Sequence, residues 1–123
     1  MTCSTKAAGN RGEELAAQFL QARGFTILDR NWRQRWGELD LVAARDGLLV
    51  FCEVKASRFE GDCHPELRVD FPKQRTLTRL ARAWLAGHDG DWTQSRFDVI
   101  AVKIVQGREV VEHLENAFWP VEE

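Results

Sequence analysis

The sequence predicts an α/β protein with one mixed central sheet flanked by helices, in the order α-β-β-β-α-β-β. Three observations carry this. Two stretches repeat apolar residues at helical spacing, most clearly Leu77, Leu80, Ala81, Trp84 and Leu85 at i, i+3, i+4, i+7 and i+8. Apolar runs of strand length, such as Leu48–Cys52 and Arg96–Ile104, lie between and after them. Turn signals separate the runs, among them Asp46-Gly47, His88–Asp91 and Gln106-Gly107. Helices and strands in this order bury their apolar sides as helix layers on a sheet.

The first helix is expected from Asn10 to Arg23, with Leu15, Ala16, Phe19 and Leu20 as its apolar stripe. Asn10 suits an N-cap with Glu13 as its capping-box acid, and Gly24 suits the C′ position. Thr26–Leu28 begins a short strand, and Asn31–Trp36 reads as a polar, aromatic connection. Gly37–Ala43 alternates as a half-buried strand and is joined through Asp46-Gly47 to a buried strand from Leu48 to Lys55. Ser57–Phe71 has no period and reads as a functional or mobile loop. Pro72 opens a second helix that runs to about Ala86. Strands over Arg96–Ile104 and Glu109–Leu114 complete the chain.

A length of 123 residues predicts a single domain over 1–123 with one core. No apolar stretch approaches membrane-spanning length, and the first residues lack a signal-peptide pattern. Cys3, Cys52 and Cys63 are odd in number and widely spaced, which predicts reduced thiols and a cytoplasmic location. His64, His88 and His113 show no ligand spacing, and no second pair supports zinc at Cys63-His64. There is no P-loop and no nucleophile elbow. A net charge of −2 argues against a broadly basic nucleic-acid binder. Local basic clusters remain, however, at Arg30, Arg33 and Arg35 and at Lys73, Arg75, Arg79 and Arg82.

The chemistry concentrates on the central hairpin. Alternation puts Glu38, Asp40 and Val42 on one face of their strand, and Phe51, Glu53 and Lys55 on one face of the next. If those faces coincide, Asp40 and Glu53 converge with Lys55 beside them. Buried carboxylates that close need a cation, and an oxygen-only donor set suits Mg²⁺ or Mn²⁺. Lys55 would orient the attacking water or neutralise charge developing on a phosphate. The plainer alternative is a structural ion pair between Glu53 and a cation such as Lys55. Asp98 reads as a structural acid, paired with Arg96, Lys103 or a helix arginine. Trp32 and Trp36, interleaved with Arg33 and Arg35, suit base stacking, with one of the two tryptophans expected in the core. Arg75, Arg79 and Arg82 share a helix face suited to phosphate, and Gln74 could reach the centre from the helix start.

Several motifs together resemble the YraN family of small uncharacterised bacterial proteins. They are Gly12-Glu13, Gly24-Phe25, Arg30–Arg33, Gly37–Val42, Glu53-Val54-Lys55, Lys73–Leu77 and Arg96–Val99. The resemblance implies a restriction-endonuclease-like fold, similar to archaeal Holliday-junction resolvases, with a PD-(D/E)XK site. On that basis Asp40, Glu53 and Lys55 are the expected catalytic residues. Asp40, Glu53 and Glu13 are the expected metal ligands, and Glu38, Gln74, Arg33, Arg35, Trp36 and Arg75 the substrate contacts. Two departures stand out: Leu39 precedes Asp40 where the motif has proline, and Ala56-Ser57-Arg58 follows the lysine where relatives have Thr-Arg. The expected activity is metal-dependent hydrolysis of DNA (branched, flapped or single-stranded) in repair or recombination. Resolvase-like relatives also imply a homodimer. The alternative is a catalytically silent module of this fold that binds nucleic acid or protein.

Overall fold

The computed structural model describes residues 6–57 and 67–122, except for the side chains of 6–9 and 104. The chain forms α1 (Lys6–Ala22), β1 (Thr26–Gln34), β2 (Gly37–Arg45), β3 (Leu48–Ala56), α2 (Phe71–Ala86), β4 (Gln94–Val105) and β5 (Arg108–Phe118). The element order is the predicted one. Cys3, Cys63, His64 and most of the Ser57–Phe71 loop lie outside the described residues.

The strands form one sheet in sequence order, β1 to β5. Neighbours are antiparallel except β3 and β4, which run parallel. Parallel neighbours need a long crossover, and α2 supplies it. Leu41, Ala43, Val50, Cys52, Ile100 and Val102 face α1, packing on Ala16, Ala17 and Leu20. Val42, Leu49, Phe51 and Phe97 face α2, packing on Leu77, Leu80, Ala81 and Trp84. Helices cover both sides, so the central strands read as nearly unbroken apolar runs. Each fully buried large side chain here is worth about 1.5–3 kcal/mol. Cys52 is a free, buried thiol.

Strands β4 and β5 run longer than expected, β5 by four residues to Phe118, and three further differences bear on the site. Helix α1 already contains Lys6 to Gly9, so Asn10 is an internal, exposed helical residue and not an N-cap. The helix formers Lys6, Ala7 and Ala8 extend it upstream, and Glu13 therefore has no capping-box role. The helix ends as predicted. Gly24 takes φ 88°, its N–H bonds the Gln21 carbonyl, and Phe25 N–H bonds that of Leu20, a Schellman closure.

The second difference is β1, which continues through the supposed connection to Gln34. Pairing along β2, down to Gln34↔Gly37, overrides the weak local signal, and a bulge between Ile27 and Asp29 absorbs the polar spacing. As an edge strand it tolerates exposed arginines. The third is α2, which opens on Phe71 with Asp70 as N-cap, its carboxylate accepting the Lys73 N–H at 2.9 Å.

Candidate metal centre

Strands β2 and β3 pair from Arg45↔Leu48 to Leu41↔Cys52 and then part. Beyond that point the Val54 N–H donates to a side chain, the Asp40 Oδ2, at 2.8 Å. Leu39 packs on the α2 side with Val42, whereas Leu41 packs on the α1 side, so strict alternation fails at Asp40. The carboxylate thus fills the gap in the ladder and stands at the opening between the strands. It is only 7 % exposed. Glu53 meets it there through a carboxyl–carboxyl hydrogen bond, which is the convergence that the hairpin register implies.

Two more acids arrive at this point. Oxygen atoms of Glu13, Glu38 and Asp40 all lie within 4.8 Å of one another. Gly12 lets α1 come close enough to deliver Glu13: a Cβ at Gly12 would sit 2.6 Å from the Ala56 Cβ of β3. Asn31 of β1, in the left-handed region at φ 51°, acts on Glu13 in favour of its charged form. Arg33 pairs across the strands with Glu38 at 2.7 Å. Glu38, expected as a substrate contact, therefore stands at ligand distance from Glu13 and Asp40.

The electrostatics follow from this crowding. Burial, then the hydrogen bond and charge of Glu53, hold the Asp40 carboxyl far above the usual carboxylate range; the Val54 N–H opposes them. Burial also raises Glu13, reinforced by the charges of Glu38 and Glu53 and opposed by Asn31 and Arg33. Such a group of acids is unfavourable until a cation or protons relieve it. The donors are all carboxylate oxygens, the hard set that Mg²⁺, Mn²⁺ or Ca²⁺ takes and that zinc or copper sites seldom use alone. The residues fit a divalent metal.

A cleft of about 710 Å³ opens beside the acids, lined by Glu53, Lys55, Arg68, Val69, Asp70 and Lys73. Lys55 Nζ donates to the Arg68 carbonyl, so among the described residues the cation that pairs with Glu53 is not Lys55. Glu53 pairs instead with Lys73, at 3.4 Å. Lys73 had a signal in the sequence: a lysine in the first turn of a helix opposes the macrodipole and needs a compensating acid. Gln74 donates to the Val69 carbonyl at 2.9 Å and so anchors the cleft wall. Arg35 and Trp36 sit in the exposed β1–β2 turn, and Arg75 lies on α2 facing a smaller cleft with Pro72, Thr76 and Arg79. Arg82 leaves that face and donates to the Val121 carbonyl.

A profile of the uncharacterised protein family UPF0102 matches residues 12–102, a span that holds every acid of the cluster and both cleft lysines. The chain belongs to the UPF0102 family. A UPF0102 protein of Nocardia farcinica is 47 % identical over 114 residues, covering 92 % of this chain and 90 % of the relative. One from Rhodococcus opacus is 46 % identical over 113 residues, covering 91 % and 96 %. One from Myxococcus xanthus is 44 % identical over 110 residues, covering 89 % and 87 %. The YraN-type family resemblance read from the motifs is borne out.

This UPF0102 chain also buries an acid away from the cluster. Asp98, 1 % exposed, accepts from Arg96 at 2.8 and 3.0 Å and from the Asn116 N–H at 3.0 Å, and lies 2.7 Å from His113 Nε2. Burial pushes its carboxyl up, but His113, Arg96 and Asn116 together outweigh that and hold it below its usual value. Of the partners expected for Asp98 (Arg96, Lys103 or a helix arginine), Arg96 is the one that it takes. No helix among the described residues is long and apolar enough to cross a membrane.

Proposed function

We propose that this UPF0102 protein is a metal-dependent nuclease that hydrolyses phosphodiester bonds in DNA, with Asp40, Glu53 and Lys55 at the reacting centre. The close approach of Glu13, Glu38 and Asp40, ligand oxygens within 4.8 Å, is the observation that carries this reading. Asp40, Glu13 and Glu38 would hold Mg²⁺ or Mn²⁺, with Glu53 adjoining through Asp40. The cation, when bound, supplies charge neutralisation at the phosphate and acidifies water.

The chain's own residues do the positioning. Asp40 is fixed by the Val54 N–H and Glu53 by Asp40 and Lys73, so the acids are aimed before anything binds. Lys55 exchanges the Arg68 carbonyl for water or a phosphate oxygen, orienting the nucleophile or stabilising the developing charge. Lys73 adds a second positive charge to the cleft. A homodimer presenting two such centres would suit a two-fold branched substrate. Light scattering reads that assembly directly.

A catalytically silent binding module is the second reading. It is favoured by the net charge of −2 and by the engagement of Lys55 with backbone. One gel separates the two: a labelled panel of four-way junction, flap, single strand, duplex and RNA, with Mg²⁺ or Mn²⁺. Lys55→Ala and Asp40→Asn, purified identically, are run alongside. Cleavage by the wild type that both variants lose by at least about 100-fold is the expected result. Cleavage by neither, or equal cleavage by all, sinks the nuclease and leaves the module.

A further inference from the structure

Trp36 and Phe71 are large aromatic side chains turned to solvent, 46 % and 58 % exposed. Both lie at the arginine face of α2. The Arg79 guanidinium sits over the Trp36 ring, 5.4 Å from its centroid. Arg75 and Arg79 line one shallow cleft with Pro72 and Thr76, and Phe71 is one helical turn before Arg75. The turn that carries Trp36 is seated firmly on this helix. A Cβ at Gly37 would meet Thr76 and Leu80 side chains at 3.1 Å. The surface is preformed.

We infer that Trp36, Arg79, Arg75 and Phe71 form a platform for an unpaired nucleotide, Trp36 stacking its base while the arginines hold the flanking phosphates. The chemistry is that of single-strand recognition, an aromatic face beside cations, which tolerates any base. Paired bases inside a duplex have no free face to offer Trp36. With a net charge of −2 the chain is not broadly basic, and a stacking grip needs fewer cations than a long electrostatic track does. Its position fits the acid cluster. The two clefts adjoin at the start of α2, where Asp70 and Lys73 line the one beside the acids and Pro72 and Arg75 the other. From Pro72 to Arg79 the helix axis advances about 10 Å, so a strand held here runs into the cleft within a nucleotide or two.

The inference rests on the acid cluster being the reacting centre, and the two are tested apart. Binding is read in EDTA by fluorescence anisotropy, with labelled oligo(dT), oligo(U) and a blunt DNA duplex. The expected result is single strand bound more tightly than duplex, with a log–log salt slope of about −1 to −2. Trp36→Ala and Arg79→Gln, both surface changes, should each weaken single-strand binding about ten-fold. Duplex bound as tightly as single strand, or variants binding like the wild type, overturns the platform. Hydrolysis of bis(para-nitrophenyl) phosphate by the wild type with Mn²⁺ reads the centre alone, since that substrate has no strand to lay on Trp36.

Discussion

At the scale of single residues, Asp40 and Asp98 are two buried acids in opposite situations. Asp98 is surrounded by donors and lies below its usual range; Asp40 is surrounded by acids and lies above. Replacing each by its amide therefore has opposite effects. Asp98→Asn strands Arg96 in a half-buried position and should cost about 3–5 kcal/mol in a urea melt. Asp40→Asn keeps an acceptor for the Val54 N–H and relieves the crowding. It should raise the stability of the metal-free protein by about 1–3 kcal/mol. The same variant should lose the thermal shift that Mg²⁺ or Mn²⁺ gives the wild type. A wild-type shift that persists in Asp40→Asn would place the metal elsewhere.

At the scale of elements, Gly12 decides how α1 meets the sheet. Alanine is the better helix former by about 1 kcal/mol. Its methyl would nevertheless collide with Ala56, so Gly12→Ala should destabilise by about 1–3 kcal/mol and weaken divalent binding by withdrawing Glu13. Calorimetric titration with Mn²⁺ checks this, and unchanged affinity would mean that Glu13 is not a ligand. The strands carrying Asp40, Glu53 and Lys55 were legible because a period of two, joined by Asp46-Gly47, leaves little freedom in register. Glu38 at ligand distance and Asn31 near Glu13 were not, and Lys73 called for an acid without showing that Glu53 is that acid. Each depends on where a strand rotates or a helix settles, and neither leaves a local pattern. Strand β1 was half missed for a related reason, since an edge strand with water on its polar side chains resembles a loop in composition.

For the whole molecule, the acids set the response to pH. Asp40 holds its proton to about pH 9, whereas an unfolded aspartate releases it near pH 4. Between those limits the folded state binds more protons, so this group's contribution to stability falls as pH rises. Glu13, also raised, acts in the same sense. Asp98 acts in the other: its contribution is present above pH ~4 and is lost on further acidification. The metal-free protein should therefore be most stable in mildly acidic solution and lose several degrees of melting temperature towards pH 8–9. Saturating Mn²⁺ should flatten the alkaline limb. A metal-free melting temperature that climbs steadily from pH 5 to 9 would contradict the raised acids.

One backbone amide turns this chemistry into a native spectroscopic label. The Val54 N–H lies where two strands separate, and its acceptor is a carboxylate that a cation would share. Its proton resonance should consequently shift as Mg²⁺ is titrated, while amides within the intact Leu41–Arg45 ladder stay still. Occupancy of the centre can then be followed by NMR in the unaltered protein, with no substrate and no turnover.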